Sequence, residues 1–385
     1  MQGFEFSSTK SIYCQPGSLA KLGEFCDSLA IKNLLIVTDH GIVECGIIDK
    51  IQQPLSSVGC VYEVFSDVVA DPSETIVLAA VKQAKQFKVD GIIGLGGGSS
   101  LDTAKLVALL VNSKQQLQDV YGIDMAQGQR LPLILIPTTA GTGSEVTPIA
   151  IVTTGASTKA AVVCQQLLPD IAILDAQLTL DLPAHVTAAT GIDAMVHAIE
   201  AYTSAHKKNP YSDMLAKQAL SLLASNIVAA TFDGQNIQAR QNMLFGACLA
   251  GQAFANSPVA AVHALAYPLG GRFHIPHGLS NSLVLSQVMQ FNSSDTAHLY
   301  AELAPFISED IKLDQNAQKI SQSVINHLEK LIKKLNLPTK LRELGIQPKD
   351  LITLADDAML QTRLLTNNPK RMTHADVLAI YQAVY

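Results

Sequence analysis

The chain has 385 residues, a formal net charge of −6 at pH 7, 48% hydrophobic residues and 16% charged residues. This length and apolar content predict a globular protein with two domains and large buried cores, and exclude a disordered chain. No cluster of Lys or Arg stands out, so no nucleic-acid partner is expected. No uninterrupted apolar run reaches the ~18–20 residues of a bilayer span, so no membrane partner is expected either.

The N-terminus and the cysteines favour a cytoplasmic location. The segment Met1–Ser11 has no apolar stretch of the kind found in secretory signals. The six cysteines include no C-x-x-C pair and lie in apolar surroundings. They predict reduced core thiols and no disulfide framework.

Short apolar strands alternate with amphipathic helices in the first 180 residues. The predicted strands are Asn33–Thr38, Val61–Phe65, Gly91–Leu95, Leu133–Pro137 and Ile171–Leu174. The predicted helices are Leu19–Leu29, Ser73–Phe87 and Ser99–Val111. Ile149–Val163 predicts extra strands or a hairpin around Thr154-Gly155. This alternation predicts a parallel sheet with crossover helices.

The pattern changes at Asp181-Leu182-Pro183, after which periods near 3.6 residues predominate. The predicted helices are Ala184–Ser204, Asp213–Ala229, Gln238–Ala255, Ala317–Leu335, Pro348–Met359 and a last helix beginning near Thr373. The sequence therefore predicts an α/β domain over residues 1–180 and a helical domain over residues 181–385.

A glycine-rich turn follows the strand that begins at Gly91. The strand runs into Gly96-Gly97-Gly98-Ser99 and then into a helix. Glycines allow the backbone to approach a pyrophosphate, and a helix N-terminus offers it N–H groups. Ser99 replaces the third glycine of G-x-G-x-x-G, so an empty strand–helix turn stays open as the alternative.

Two further segments suit a dinucleotide. Pro137–Glu145 is rich in hydroxyls and glycine, which suits a loop over a nicotinamide or ribose, although a flexible surface loop has the same composition. Asp39 follows a strand, where a carboxylate binds ribose hydroxyls and favours NAD over NADP. A capping or turn aspartate is the alternative there.

Four residues could form a metal site. Asp193 and His197 are four residues apart on a predicted helix and so share one face. His263 falls in a predicted helix, and His277 in a predicted loop over His274–Gly278; the Gly270-Gly271 pair between them also predicts a loop. Three imidazoles and one carboxylate suit Fe²⁺ or Zn²⁺. Spacing alone does not establish that the two halves meet.

Taken together and in this order, these motifs resemble the iron-containing (group III) alcohol dehydrogenases, essentially from end to end. The resemblance implies a dehydroquinate synthase-like fold, with an N-terminal nucleotide-binding α/β domain and an all-helical C-terminal domain. It implies an enzyme that uses Fe²⁺ (or Zn²⁺) and NAD. The implied reaction is hydride transfer between a metal-bound alcohol and nicotinamide, with a small alcohol or aldehyde as substrate and a homodimer as the assembly.

The resemblance also assigns roles to individual residues. The implied metal ligands are Asp193, His197, His263 and His277. The implied cofactor residues are Asp39, Gly96, Gly97, Gly98, Ser99, Asp102, Thr138, Thr139, Thr142 and Lys159. Phe254 matches an aromatic of the substrate pocket.

One position departs from the family pattern. Many members carry a histidine where this chain has Tyr267, so proton relay or substrate preference is expected to differ. His274 is a candidate for the relay, a surface histidine being the alternative. Tyr267, His274 and Phe254 are thus the predicted catalytic residues.

Four other functions remain open on the sequence. The dehydroquinate synthase and glycerol dehydrogenase branch shares the two-domain plan, but its motifs match less well. A sugar-acid oxidase of the 3-deoxy-octulosonate 8-oxidase type and a hydroxyacid–oxoacid transhydrogenase lie within the same family. A scaffold without activity is disfavoured because the possible ligand set is complete.

Overall fold

The structure, a computed structural model, describes residues 3–155 and 158–385. Packing divides the chain into two compact units. One is Ser7–Asp181, and the other is Leu182–Tyr385 together with the N-terminal residues up to Phe6. Phe6 belongs with the second unit, where its ring lies 4.9 Å from that of Tyr211, centroid to centroid.

The first unit is an α/β structure. Its strands are β1 Ser11–Cys14, β2 Asn33–Val37, β3 Val61–Phe65, β4 Gly91–Gly96, β5 Gly122–Ile123, β6 Leu133–Pro137, β7 Ile149–Thr154, β8 Thr158–Val163 and β9 Ile171–Leu174. Its α-helices are α1 Leu22–Ser28, α2 His40–Glu44, α3 Ile47–Ser56, α4 Glu74–Phe87 and α5 Gly98–Leu110. The predicted parallel sheet is confirmed: six strands pair in parallel in the order β1-β9-β6-β4-β2-β3.

Both faces of this sheet are covered, as a buried parallel sheet requires. Side chains alternate along β2, so Leu34 and Ile36 join a core with α1 and α3. Leu35 and Val37 point the other way and join a core with α4 and α5. The strand is therefore apolar at every position after Asn33, and not only at alternate ones.

The strand order creates a switch point between β2 and β4. The chain leaves β2 toward β3 and returns to β4 on the other side of β2. Ligands of open α/β sheets bind beside the carboxyl ends of the strands at such a point. The segments after β2 and β4, with Asp39 and the glycine turn, therefore flank the position where a nucleotide is expected.

The predicted hairpin is also present. β7 and β8 pair antiparallel from Ile149↔Val163 to Thr154↔Thr158, and β5 joins β8 to make a second, three-stranded sheet. The predicted turn residues Thr154 and Gly155 are at the end of β7 and directly after it, and residues 156 and 157 lie outside the described residues.

All the regular secondary-structure elements described in the second unit are helices. Its α-helices are α6 Ala184–Thr203, α7 Pro210–Phe232, α8 Ile237–Asn256, α9 Ala261–Phe273, α10 His277–Ile307, α11 Ala317–Lys334, α12 Asp350–Met359, α13 Thr362–Leu365 and α14 His374–Ala383. The last helix begins with a capping box between Thr373 and Asp376.

One helix in the described part of the chain, α7, is long and apolar enough to cross a membrane by length and composition alone. Core helices of soluble proteins pass the same test. Here α7 packs against α6 and α8.

Two local predictions in this unit were wrong. Gly270 and Gly271 do not form a loop, because α9 continues through them to Phe273. The loop predicted over His274–Gly278 is shorter, since Pro276 caps the start of α10 and His277 is its first residue. His277 is thus held on a helix.

Candidate metal centre and nucleotide-binding turn

The four predicted metal ligands converge. Asp193 and His197 lie one turn apart on α6, His263 is on α9, and His277 opens α10. Each of the four residues offers one potential ligand atom, and these four atoms all lie within 4.8 Å of one another. The first three residues are buried, whereas 40% of the His277 side chain is exposed.

The electrostatics of this group suit a cation. Burial acts to raise the pKa of Asp193, but the imidazoles of His197, His277 and His263 and the amide of Asn281 outweigh it, and the net pKa is lowered. The carboxylate therefore stays ionised. One anionic oxygen and three imidazole nitrogens form a donor set that fits a borderline divalent ion.

Asn281 is a neighbour of the ligands that the sequence reasoning missed. Its Nδ2 donates to Asp193 Oδ1 at 2.6 Å and lies 3.2 Å from His277 Nε2 and 3.4 Å from His263 Nε2. Asn281 follows His277 by four residues, so it lies on the same face of α10. The four-residue spacing between His277 and Asn281 could have predicted this contact only if His277 had been predicted to lie in a helix.

Glu200 is the second neighbour that was missed. Its Oε2 lies 2.6 Å from His263 Nδ1, and its side chain is buried. Its signal was available, because Glu200 follows His197 by three residues and Asp193 by seven, both helical spacings of one face.

Close helix packing places His277. A Cβ built on Gly278 would lie 2.4 Å from the carbonyl oxygen of Ala189 on α6. Only glycine lets the first turn of α10 approach the α6 backbone this closely, so Gly278 sets the position of its neighbour His277 relative to α6.

The predicted catalytic residues lie beside or near the ligand group. Phe254 stacks on His197, with ring centroids 4.3 Å apart and planes 19° apart. The Tyr267 ring centroid is 5.9 Å from that of His277. His274 is exposed and caps the end of α9 in a left-handed conformation, φ 54°. Their catalytic roles remain predictions.

The glycine turn has the shape expected of a phosphate-binding turn. β4 ends at Gly96, whose φ of 146° favours glycine, and Gly97 caps α5 without a side-chain hydrogen bond. A Cβ on Gly98 would lie 2.8 Å from Thr142 Cγ2. Glycine at position 98 therefore lets Thr142 pack directly against this turn, to which the 13-residue helix α5 directs its N-terminus. Ser99 lies in its first turn.

The threonine loop follows β6 directly beside this turn. Gly96 and Pro137 are paired in register, and Thr138 N donates to Gly96 O at 2.9 Å. Thr139 and Thr142 face Gly97 and Gly98, respectively. The structure therefore brings the predicted cofactor segments together at the carboxyl edge of the sheet.

Asp39 and Asp102 are engaged with protein groups. Asp39 Oδ1 caps α2 by accepting from Ile42 N at 3.2 Å, and its Oδ2 accepts from Ser100 Oγ at 3.3 Å. Asp102 accepts from Ser144 Oγ at 2.6 Å and from Ile151 N at 2.9 Å. Asp102 thus ties α5 to the threonine loop and β7, and cofactor contact by either carboxylate remains a prediction.

Lys159 is on β8, where its Nζ pairs with Asp71 Oδ1 at 2.5 Å and donates to Thr153 Oγ1 at 3.2 Å. A role at the cofactor ribose also remains a prediction.

Two buried ionisable residues beside the threonine loop, Lys105 and Glu145, were not predicted. Lys105 Nζ donates to Ile149 O at 2.7 Å and to Thr147 Oγ1 at 3.1 Å. Burial lowers the pKa of Lys105, against the attraction of Asp102 and then of Glu145. Burial raises the pKa of Glu145 to about 7, against a backbone hydrogen bond and then the attraction of Lys105.

The fold and the two candidate sites fit the class of metal- and nucleotide-dependent oxidoreductases, and comparisons with known proteins agree with this class. Residues 9–176 match the iron-containing alcohol dehydrogenase family model, and residues 187–385 match the model of the C-terminal region of that family. The chain belongs to the iron-containing alcohol dehydrogenase family.

Individual relatives cover nearly the whole chain. Long-chain-alcohol dehydrogenase 1 of Geobacillus thermodenitrificans is 40% identical over 372 residues, 96% of this chain and 93% of the relative. A crystal structure of a 1,3-propanediol oxidoreductase superposes with a TM-score of 0.96 at 32% identity, covering 100% of both chains. The sulfoacetaldehyde reductase of Bifidobacterium kashiwanohense, solved in complex with NAD+, gives a TM-score of 0.89 at 26% identity, covering 100% of this chain and 99% of that one.

Proposed function

We propose that this protein is an NAD-dependent alcohol dehydrogenase and aldehyde reductase that uses a divalent metal ion. The convergence of Asp193, His197, His263 and His277 carries the proposal. When bound, such an ion supplies Lewis-acid chemistry that lowers the pKa of an alcohol hydroxyl. NAD, which the turn at Gly96–Ser99 would hold, would supply a nicotinamide ring that accepts a hydride from an alcohol or donates one to an aldehyde.

The proposed division of labour follows the two units. Residues 1–180 bind NAD, with the pyrophosphate at Gly96–Ser99 and the nicotinamide half under Thr138–Thr142. Support comes from the N-terminus of α5 at this turn and from the switch point between β2 and β4. Residues 181–385 bind the metal and the alcohol.

We propose ferrous iron as the metal and a small or medium-sized, uncharged alcohol or aldehyde as the substrate. The iron follows from the family, and the donor set accommodates it. Phe254, stacked on His197, supplies an apolar surface beside the ligands, which favours an uncharged substrate. Tyr267 and His274 are the proposed proton relay. A homodimer in the cytoplasm remains our expectation.

The oxidase and transhydrogenase alternatives are not favoured. The relatives carry the names of alcohol dehydrogenases, a 1,3-propanediol dehydrogenase and sulfoacetaldehyde reductases. Both family models match this chain, which also disfavours the dehydroquinate synthase branch.

The test combines metal analysis with an NAD-coupled screen of alcohols. We expect His263→Ala to lose the metal and the activity while still binding NAD, because the glycine turn lies in the other unit. His298→Ala is the matched control, since His298 is an exposed histidine of α10 outside the ligand group. Normal turnover by metal-free His263→Ala would refute the proposal.

A further inference from the structure

Glu200 is a buried carboxylate with three donors around it. It lies on α6, and only 4% of the residue is exposed. Its Oε2 accepts from Ala260 N at 3.0 Å, and its Oε1 accepts from Val262 N at 2.7 Å. The third neighbour is His263 Nδ1, 2.6 Å from Oε2.

The two backbone bonds make Glu200 the cap of α9. The residue at the cap position, Ala260, has no side chain that could satisfy the first N–H groups of the helix. A carboxylate from α6 takes that place, and a negative charge is favourable at a helix N-terminus. Glu200 therefore fixes the start of α9 against α6, and α6 carries Asp193 and His197.

The third contact determines which nitrogen of His263 carries the proton. Both oxygens of Glu200 accept from backbone N–H groups, so we assign the N–H of His263 to Nδ1, the nitrogen that faces Oε2. In the neutral ring the lone pair is then on Nε2. Nε2 is also the atom that lies 3.9 Å from Asp193 Oδ1, inside the ligand group.

We propose that Glu200 is the positioning residue of the metal centre, which caps α9 and holds His263 in the Nδ1–H tautomer with Nε2 ready to bind the ion. This inference rests on the proposed function, because it takes the four-residue group to be the metal site. Carboxylate partners of this kind both orient a ligating imidazole and raise its basicity.

Glutamine at position 200 would have the same shape but could not satisfy all three donors. With its NH₂ at the Oε1 position, it would face the N–H of Val262, donor against donor. With its NH₂ at the Oε2 position, it would face the N–H of Ala260 and make Nδ1 of His263 an acceptor. The proton would then move to Nε2, the nitrogen needed by the metal.

The experiment measures metal affinity and the tautomer separately. Co²⁺ is titrated into metal-free protein, wild type and Glu200→Gln, and its visible absorption is followed in competition with a chelator. We expect Glu200→Gln to bind about 10- to 100-fold more weakly. In ¹⁵N-histidine-labelled, metal-free wild type we expect His263 to show Nδ1 protonated and Nε2 bare, its signals being those lost in His263→Ala.

Ser257→Ala is the matched control for a general loosening of this region. Ser257 is fully buried and its Oγ donates to Ala201 O at 2.7 Å, so it ties the end of α6 to the segment before α9 without touching His263. We expect this variant to keep the wild-type Co²⁺ affinity and tautomer. An equal loss of affinity in Ser257→Ala and Glu200→Gln would overturn the assignment.

Other outcomes separate the two proposals. If the wild type shows His263 protonated at Nε2, the role of Glu200 is wrong, and this measurement needs no variant that has to fold. The same holds if Glu200→Gln binds Co²⁺ as tightly as the wild type. If the wild type binds no Co²⁺ that depends on His263, the proposed function itself fails.

Discussion

The contact between Gly278 and α6 allows a sharp test of how helix packing sets the metal site. In Gly278→Ala the new Cβ would start 2.4 Å from Ala189 O and 2.7 Å from Ala189 C, against 3.4 Å or more for an ordinary contact. Both atoms belong to the backbone of α6, so no side-chain rotation relieves the clash. The first turn of α10 has to move away by about 1 Å.

The magnitude follows from what this movement does to His277. Metal–ligand distances tolerate deviations of only about 0.2 Å. A movement of the first turn of α10 by about 1 Å therefore takes His277 out of reach of the ion, unless the bound ion pulls the turn back. Pulling it back restores the overpacking, which costs about 1–3 kcal/mol. At 1.4 kcal/mol per factor of ten, metal affinity should fall by about 5- to 150-fold.

The assay is a Co²⁺ titration of metal-free protein, together with thermal unfolding in the absence of metal. Gly270→Ala is the matched control, because a Cβ there would come no closer than 3.4 Å to Ile275 O. We expect that variant to keep its metal affinity and to gain up to about 1 kcal/mol from the better helix propensity of alanine. Wild-type Co²⁺ affinity in Gly278→Ala would refute the claim that this packing places His277.

Two further predictions concern the nucleotide half. Gly98→Ala places a Cβ 2.8 Å from Thr142 Cγ2 in the proposed phosphate-binding turn. Because the turn is then overpacked, NAD affinity should fall about tenfold or more, while the metal content stays unchanged. Equal NAD affinity of variant and wild type in calorimetry would contradict this prediction. Burial raises the pKa of Glu145 from 4.5 to about 7, so the folded chain binds that proton more tightly than the unfolded chain, and stability is lost as the pH rises from about 4.5 to about 7. The loss is about 3 kcal/mol. Glu145→Gln should lack this loss, so between pH 5 and pH 8 its free energy of unfolding in urea should rise relative to that of the wild type. The same difference in unfolding free energy between variant and wild type at both pH values would contradict a raised pKa of Glu145.

The parts of the fold that could be predicted from sequence are those with local causes. The strands at Gly91 and Leu133 are apolar at every position, and the turn after the first of them is a run of glycines. Asp193 and His197 share a helix face because of their spacing alone. These elements needed no knowledge of distant contacts.

The parts that could not be predicted depend on tertiary packing. Gly270-Gly271 and Pro268 are local signals of a loop, yet α9 runs through all three because its buried side chains hold it against its neighbours. Because a loop was predicted in this region, the start of α10 at His277 was not predicted. The shared helix face of His277 and Asn281 could therefore not be predicted either. The spacing of Glu200 did place it on the face of α6 that carries Asp193 and His197, but its role could not be predicted, because the three groups that contact it come from residues 60 or more positions further along the chain.

The distribution of the proposed ligands over three helices has a consequence for how the protein would acquire an ion. α6 presents Asp193 and His197 together as soon as it is helical, but His263 and His277 arrive only when α9 and α10 have docked on it. Ion uptake at full affinity is thus a late event in assembly. Once bound, the ion acts as a removable cross-link among three segments, so part of its binding free energy appears as resistance of the helical unit to unfolding.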